Sequence, residues 1–189
     1  MSGLIPLPEN TPGARILGRI LESGRSPLGP GQPKTGTWRE EMAALSDAEL
    51  LGLDRVADED AAACVRSGLL LLGDELGRSH TLSQSIDSPD GSFWHGIMHR
   101  REPDYGNSKY WFRRVGDHPT FDTLPAHVNA GPAADEITVS GSWDPFAMVD
   151  IVEDCERGPR SELRDELESL QELEMLALLT HCYSRAAGR

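Results

Sequence analysis

The sequence predicts an all-α fold, and three observations carry that reading. Apolar residues recur at helical spacing over long stretches, as in Ala62, Val65, Leu69, Leu72 and Leu76. Helix-start signals are frequent. Strand-like alternation is confined to Glu136–Ser140, too short to build a sheet.

The elements follow in order. Ala14–Leu21 reads as a weakly helical N-terminal segment. Ser23–Gly36, SGRSPLGPGQPKTG, is rich in proline and glycine and reads as a loop. It lacks the Gly-Lys-Ser/Thr run of a phosphate loop, because Lys34 follows Pro33. Ser46 and Glu49 form a capping-box pattern that opens a short helix through Leu53. Asp58 caps a longer helix, weakened at Gly68 and Gly73 and stopped near Gly77. His80–Ile86 reads as another helical piece, ended by a turn at Ser88-Pro89-Asp90-Gly91.

Phe93–Glu102 is expected to be helical and to stop before Pro103, since the residue before proline is pushed out of the α region. Asn107 is expected to cap a helix over Ser108–Val115, closed by Gly116. Asp144-Pro145 opens a helix to Arg157, and Gly158-Pro159 breaks it. A long last helix runs from Ser161 to Arg185, acidic and amphipathic at first and apolar nearly all round from Met175 to Tyr183. The expected architecture is one irregular helical domain over residues 1–189, with a loop at 23–36 and a functional core at 80–118.

Composition narrows the function classes. The 189 residues carry 31 acidic and 18 basic side chains, a formal charge of -13. Such a surface repels nucleic acid and anionic lipid. No aliphatic run approaches the roughly 20 residues of a membrane span. Cys64, Cys155 and Cys182 are odd in number and widely spaced, and the first residues, MSGLIPLPENTPG, lack a secretory pattern. A cytoplasmic protein is expected, with no nucleic-acid or membrane partner.

Residues 93–121 stand apart from this acidic background. They hold five basic against three acidic residues, seven of the eleven aromatics, and three of the six histidines. Within them His95, His99 and Glu102 fall at i, i+4 and i+7, on one helical face. Two imidazoles at that spacing can share one divalent metal, zinc, iron or manganese, and a carboxylate beside them can be a ligand or a general base. His80 and His118 are further candidate ligands, and Glu102 and Asp104 are candidate catalytic carboxylates. Gly96 follows His95 where the zinc-protease signature needs glutamate, so that reading fails.

The same stretch supports an anion site. Arg100, Arg101, Lys109, Arg113 and Arg114 could grip a carboxylate or phosphate, with Asn107 and Tyr110 beside them. The plainer reading is a packed aromatic core in which Glu102 and Asp104 pair with arginines. His181 beside Cys182 has the wrong helical spacing for mutual activation.

Phe93–Pro119, preceded by Ser79-His80 and Gln84, resembles a family of uncharacterised bacterial and fungal proteins sharing W-H-x3-H-R-R-E-P-D and Y-W-F-R-R-V-G-x-H-P elements. The resemblance implies no reaction. It implies only that His80, Trp94, His95, His99, Arg100, Arg101, Glu102, Asp104, Tyr110, Arg113, Arg114 and His118 belong to one pattern. Three functions follow as expectations. One is a metal-dependent enzyme acting on a small anionic substrate. The second is a binding module for a small anion or an acidic partner. The third is a scaffold that forms a homodimer through its C-terminal helix.

Overall fold

The computed structural model describes Leu4 and residues 7–189. It is predominantly helical. In chain order the α-helices are α1 (Pro12–Glu22), α2 (Trp38–Ala43), α3 (Asp47–Leu51), α4 (Glu59–Leu72), α5 (Leu76–Ser83), α6 (Pro89–Arg101), α7 (Tyr105–Val115), α8 (Pro119–Thr123), α9 (Pro132–Ile137), α10 (Pro145–Glu156) and α11 (Arg164–Ala186). Short 3-10 turns cover Leu124–His127 and Ser161–Leu163. The only strands among the described residues are β1 (Thr138–Val139) and β2 (Ser142–Trp143), an antiparallel pair.

Caps explain most helix starts. The Ser46 hydroxyl accepts from Glu49 N while the Glu49 carboxylate reaches back to Ser46 N, the complete capping box. Asp58 caps α4 through Ala61 N, and Asp144 caps α10 through Phe146 N and Ala147 N.

Three boundaries differ from the sequence reading. Ser88-Pro89-Asp90-Gly91 is no turn: Ser88 accepts from Gly91 N and Pro89 occupies the first helical position, so α6 begins four residues before Phe93. The cap of α7 is Asp104, whose carboxylate accepts from Asn107 N, so Asn107 lies inside the helix. The helix capped by Asp58 ends at Leu72 rather than near Gly77, and α5 begins at Leu76.

The buried apolar residues form one continuous cluster around α4, which packs on α5, α6 and α11. Two glycines permit that packing. A Cβ on Gly68 would lie 2.5 Å from the Trp94 ring, and one on Gly73 would lie 2.4 Å from the Trp38 ring. Gly68 lowers helix propensity inside α4 and Gly73 follows its last residue, and together they let two indoles lie against the backbone.

The proline-rich loop is pinned as well. Lys34 is buried and donates to the carbonyls of Ile20 and Gly24, and burial pushes its ammonium below the usual lysine range. Ser26 donates to Leu72 O, and Gln171 donates to Pro27 O.

Helix α6 lies deep in the fold, and every residue from Asp90 to Arg101 is buried. A helix so enclosed must place its polar side chains against partners. Arg101 ion-pairs with Asp74 and donates to the carbonyls of Leu71 and Pro27. Arg100 ion-pairs with Glu174 of α11, and Trp143 Nε1 donates to the same carboxylate at 3.1 Å. The pairing expected with Glu102 or Asp104 does not occur. Those two side chains lie past the buried end of the helix, where Glu102 and Asp104 are exposed.

Candidate functional site

Three imidazoles converge where α5, α6 and α7 meet. His95 and His99, one turn apart on α6, are buried, while His80 of α5 is half-buried and faces both. The ring centroids form a near-equal triangle: 4.6 Å between His95 and His99, 4.8 Å between His80 and His95, and 5.1 Å between His80 and His99. One ligating nitrogen from each ring lies within 4.8 Å of the others. Trp111 of α7, itself half-buried, stacks on His95 at 4.0 Å.

Hydrogen bonding sets where the ring protons sit. The Ser83 hydroxyl donates to His80 O, so its oxygen is left to accept from His95 Nδ1, 3.4 Å away. His99 Nδ1 faces the Glu102 carboxylate at 3.7 Å. Asn107 Nδ2 lies 3.0 Å from His99 Nε2 and 3.4 Å from His99 Nδ1. The two Nε2 atoms meet across 2.9 Å, a hydrogen bond when either carries a proton and a chelating pair when neither does.

Protonation does not come easily here. Burial, reinforced by His99 and His80, holds His95 down to about 3. Burial also lowers His99, with His80 acting in the same direction and Glu102 and Asp104 opposing it. Neutral imidazoles with free nitrogens are the form that ligates a metal.

The fourth histidine of the sequence reading is elsewhere. His118 caps α8, and its Nδ1 accepts from Thr120 N at 3.2 Å. Its Nε2 therefore carries the proton and donates to Asp90 Oδ1 at 2.8 Å. His181 of α11 places Nε2 3.3 Å from the same oxygen, and Arg185 Nη1 lies 2.7 Å from Oδ2. Asp90, His118 and His181 are a second group with metal-like spacing. Their nitrogens are occupied by protons shared with a carboxylate, so their chemistry differs from that of His80, His95 and His99. Burial works against the Asp90 charge, yet hydrogen bonds from His118 and His181 hold its carboxyl well below the usual range.

The remaining predicted residues scatter. Glu102 sits beside Nδ1 of His99, on the far side of the ring from the convergent nitrogens, so it orients the imidazole and is not placed as a ligand or base. Asp104 is spent as the α7 cap. Arg100 and Arg101 are consumed by buried ion pairs and cannot face an incoming anion. Lys109 pairs with Asp150, and Arg114 pairs with Asp87 and lies over the Trp111 ring. Arg113 and Tyr110 are exposed. The basic residues therefore point in separate directions and form no common anion cradle.

Sequence reasoning missed Ser83, Asp90, His181 and Arg185. Asp90 lay within a presumed turn, and His181 was weighed only against its neighbour Cys182. The one usable signal was Ser83, three residues after His80 on the same helical face. No helix among the described residues is long and apolar enough to cross a membrane. Comparisons with protein-family models, curated proteins and solved structures give no match.

Proposed function

We propose that the chain holds one divalent metal ion on His80, His95 and His99 and uses it as a Lewis acid toward a small substrate. The observation that supports this reading is the convergence of one nitrogen from each of three imidazoles within 4.8 Å, with two Nε2 atoms 2.9 Å apart. Three imidazoles without thiolate suit zinc or iron better than manganese, which favours oxygen ligands. Three protein ligands would leave room on such an ion for water or substrate, and the ion would supply Lewis acidity there, lowering the pKa of bound water.

The chain's own residues have supporting roles. Ser83 and Glu102 fix the imidazole tautomers from the Nδ1 side. Asn107 is the hydrogen-bonding group nearest the open side of His99. Trp111 stacks on the His95 ring and covers one of its faces. His80 is the half-buried member of the three. Recognition of an anionic substrate through Arg100 or Arg101 has no support, because both guanidiniums are internal ion-pair partners.

The test is metal content and zinc titration of protein purified without a histidine tag. One ion per chain, lost in the His95→Ala and His99→Ala variants, is the expected result. A wild type that neither retains nor takes up zinc, iron or manganese reduces the cluster to a hydrogen-bonded histidine pair.

A further inference from the structure

A pocket of about 480 Å³ lies along α11, and no member of either histidine group lines it. Its volume falls within the roughly 300–1,000 Å³ of small-molecule sites. Leu170, Leu173 and Leu176 recur at helical spacing on α11 and give it an apolar lining, joined by Leu21 of α1 and by Leu4. Glu166, Ser169 and Glu172 of α11, with Arg25, His127 and Asn129, supply its polar lining.

Two of these polar groups are already engaged. Glu166 Oε1 accepts from Ala133 N and Ala134 N at the start of α9. The Ser169 hydroxyl donates to Asp165 O.

Arg25 and Glu172 are not engaged in this way. They approach only to 4.0 Å, from Nε to Oε1, and neither side chain makes a hydrogen bond among the described residues. Yet the Glu172 side chain keeps only 12% exposure, against 45% for Arg25. Burial accordingly raises the Glu172 carboxyl, with Arg25 and Lys34 acting against it. Lys34 does not supply the missing bond, because its ammonium donates to Ile20 O and Gly24 O. The buried carboxylates of Asp74 and Glu174 show the contrast, since each accepts from an arginine. A carboxylate largely withdrawn from water without such bonds is costly, and a ligand that brings a donor removes the cost.

The pocket thus presents an unfilled acceptor and an unfilled donor of opposite charge, side by side and next to leucines. A simple amine placed on Glu172 would meet the charge of Arg25. A simple acid placed on Arg25 would meet the charge of Glu172. A molecule that carries both charges on neighbouring atoms satisfies the two at once.

We propose that this pocket binds an α-amino acid with an apolar side chain. The ammonium donates to Glu172, and the carboxylate accepts from Arg25, the residue type best suited to grip it. The apolar side chain lies on Leu170, Leu173 and Leu176. No covalent bond is made or broken.

The experiment is a calorimetric titration of the full chain with leucine, methionine and phenylalanine. At least one should bind saturably, one molecule per chain. Its analogues without the carboxylate or without the ammonium, such as 3-methylbutylamine and 4-methylpentanoate for leucine, should each bind about tenfold more weakly or worse. Glu172→Gln and Arg25→Gln remove one charge each and break no internal hydrogen bond, so both should fold as the wild type by circular dichroism. Each should weaken binding by about tenfold or more. Chelator should leave the binding unchanged, which separates this site from the metal centre. The proposal is overturned if none of the three amino acids binds saturably, or if either variant keeps wild-type affinity. Equal binding of the amine or the acid alone overturns the amino acid as ligand, and binding lost to chelator assigns it to the metal centre instead.

Discussion

His95 Nε2 and His99 Nε2 face each other across 2.9 Å while both rings are buried. A proton on either nitrogen makes that contact a hydrogen bond, and a metal ion would take its place when both nitrogens are bare. The first expectation follows directly. Chelator should lower the melting temperature of the wild type and leave the His95→Ala, His99→Ala double variant unchanged, since an ion bound only to the native state contributes stability by mass action. Glu102→Gln should weaken metal binding less than either alanine substitution, because it removes only the charge behind His99. Calorimetric melts with and without chelator decide this. An equal response in wild type and double variant would remove the metal.

Arg101 and Asp74 are both buried and paired. Asp74→Ala leaves a guanidinium enclosed with the carbonyls of Pro27, Gly29 and Leu71 and no counter-charge, and should cost about 3–5 kcal/mol. An Asp74→Leu, Arg101→Met double variant should recover most of that loss, because the charge and its desolvation disappear together. Urea denaturation of the three proteins measures it. A double variant no better than Asp74→Ala would mean that the carbonyl contacts of Arg101 matter more than the ion pair.

Asp90 gives the protein an acid limit. Its folded-state pKa is depressed, so the native protein binds fewer protons here than the unfolded chain. The resulting stability is present above the ordinary aspartate range near pH 4 and declines as pH falls below it. Asp90→Asn should therefore cost about 2–4 kcal/mol at neutral pH and flatten the acid side of the stability profile. Urea midpoints measured across the acid range report both effects.

Gly68 poses a contest between propensity and packing. Alanine gains about 1 kcal/mol over glycine inside a helix. Its Cβ at this position would meet Trp94 at 2.5 Å and the Leu179 side chain at 3.0 Å. Overpacking of this kind costs about 1–3 kcal/mol, so Gly68→Ala should be destabilising on balance. A raised melting temperature would show that the indole can move.

Local signals in the sequence located the helices well where a cap is written in adjacent residues. Ser46 with Glu49, Asp58, and Asp144-Pro145 need only their own turn to act. The facing of His95 and His99 was legible for the same reason, since a four-residue spacing places both on one side of a helix. Ser88-Pro89 was misread because the same pair suits a turn and a helix start. What could not be read was any pairing across the fold. Arg100 finds Glu174 74 residues away, and Arg101 finds Asp74 27 residues away. Nothing in the acidic run of α11 distinguishes Glu174, which is buried, from Glu172, which is half-buried. His118 left the histidine group because α7 ends at Gly116, after which the chain turns into α8 and carries the ring to Asp90.

The enclosure of α6 bears on how the protein opens. Its faces are committed to different neighbours: Asp90 to α8 and α11, His95 and His99 to α5 and α7, Arg100 to α11, and Arg101 to the turn after α4. No partial movement of this helix spares one set of partners while releasing another. Its amides should therefore exchange with solvent only when the whole structure unfolds. Local fluctuation is left to the short helices α5 and α8, each of which covers one histidine group. Access of an ion to His95 and His99 would thus depend on breathing of α5, while the helix that carries the two imidazoles stays fixed.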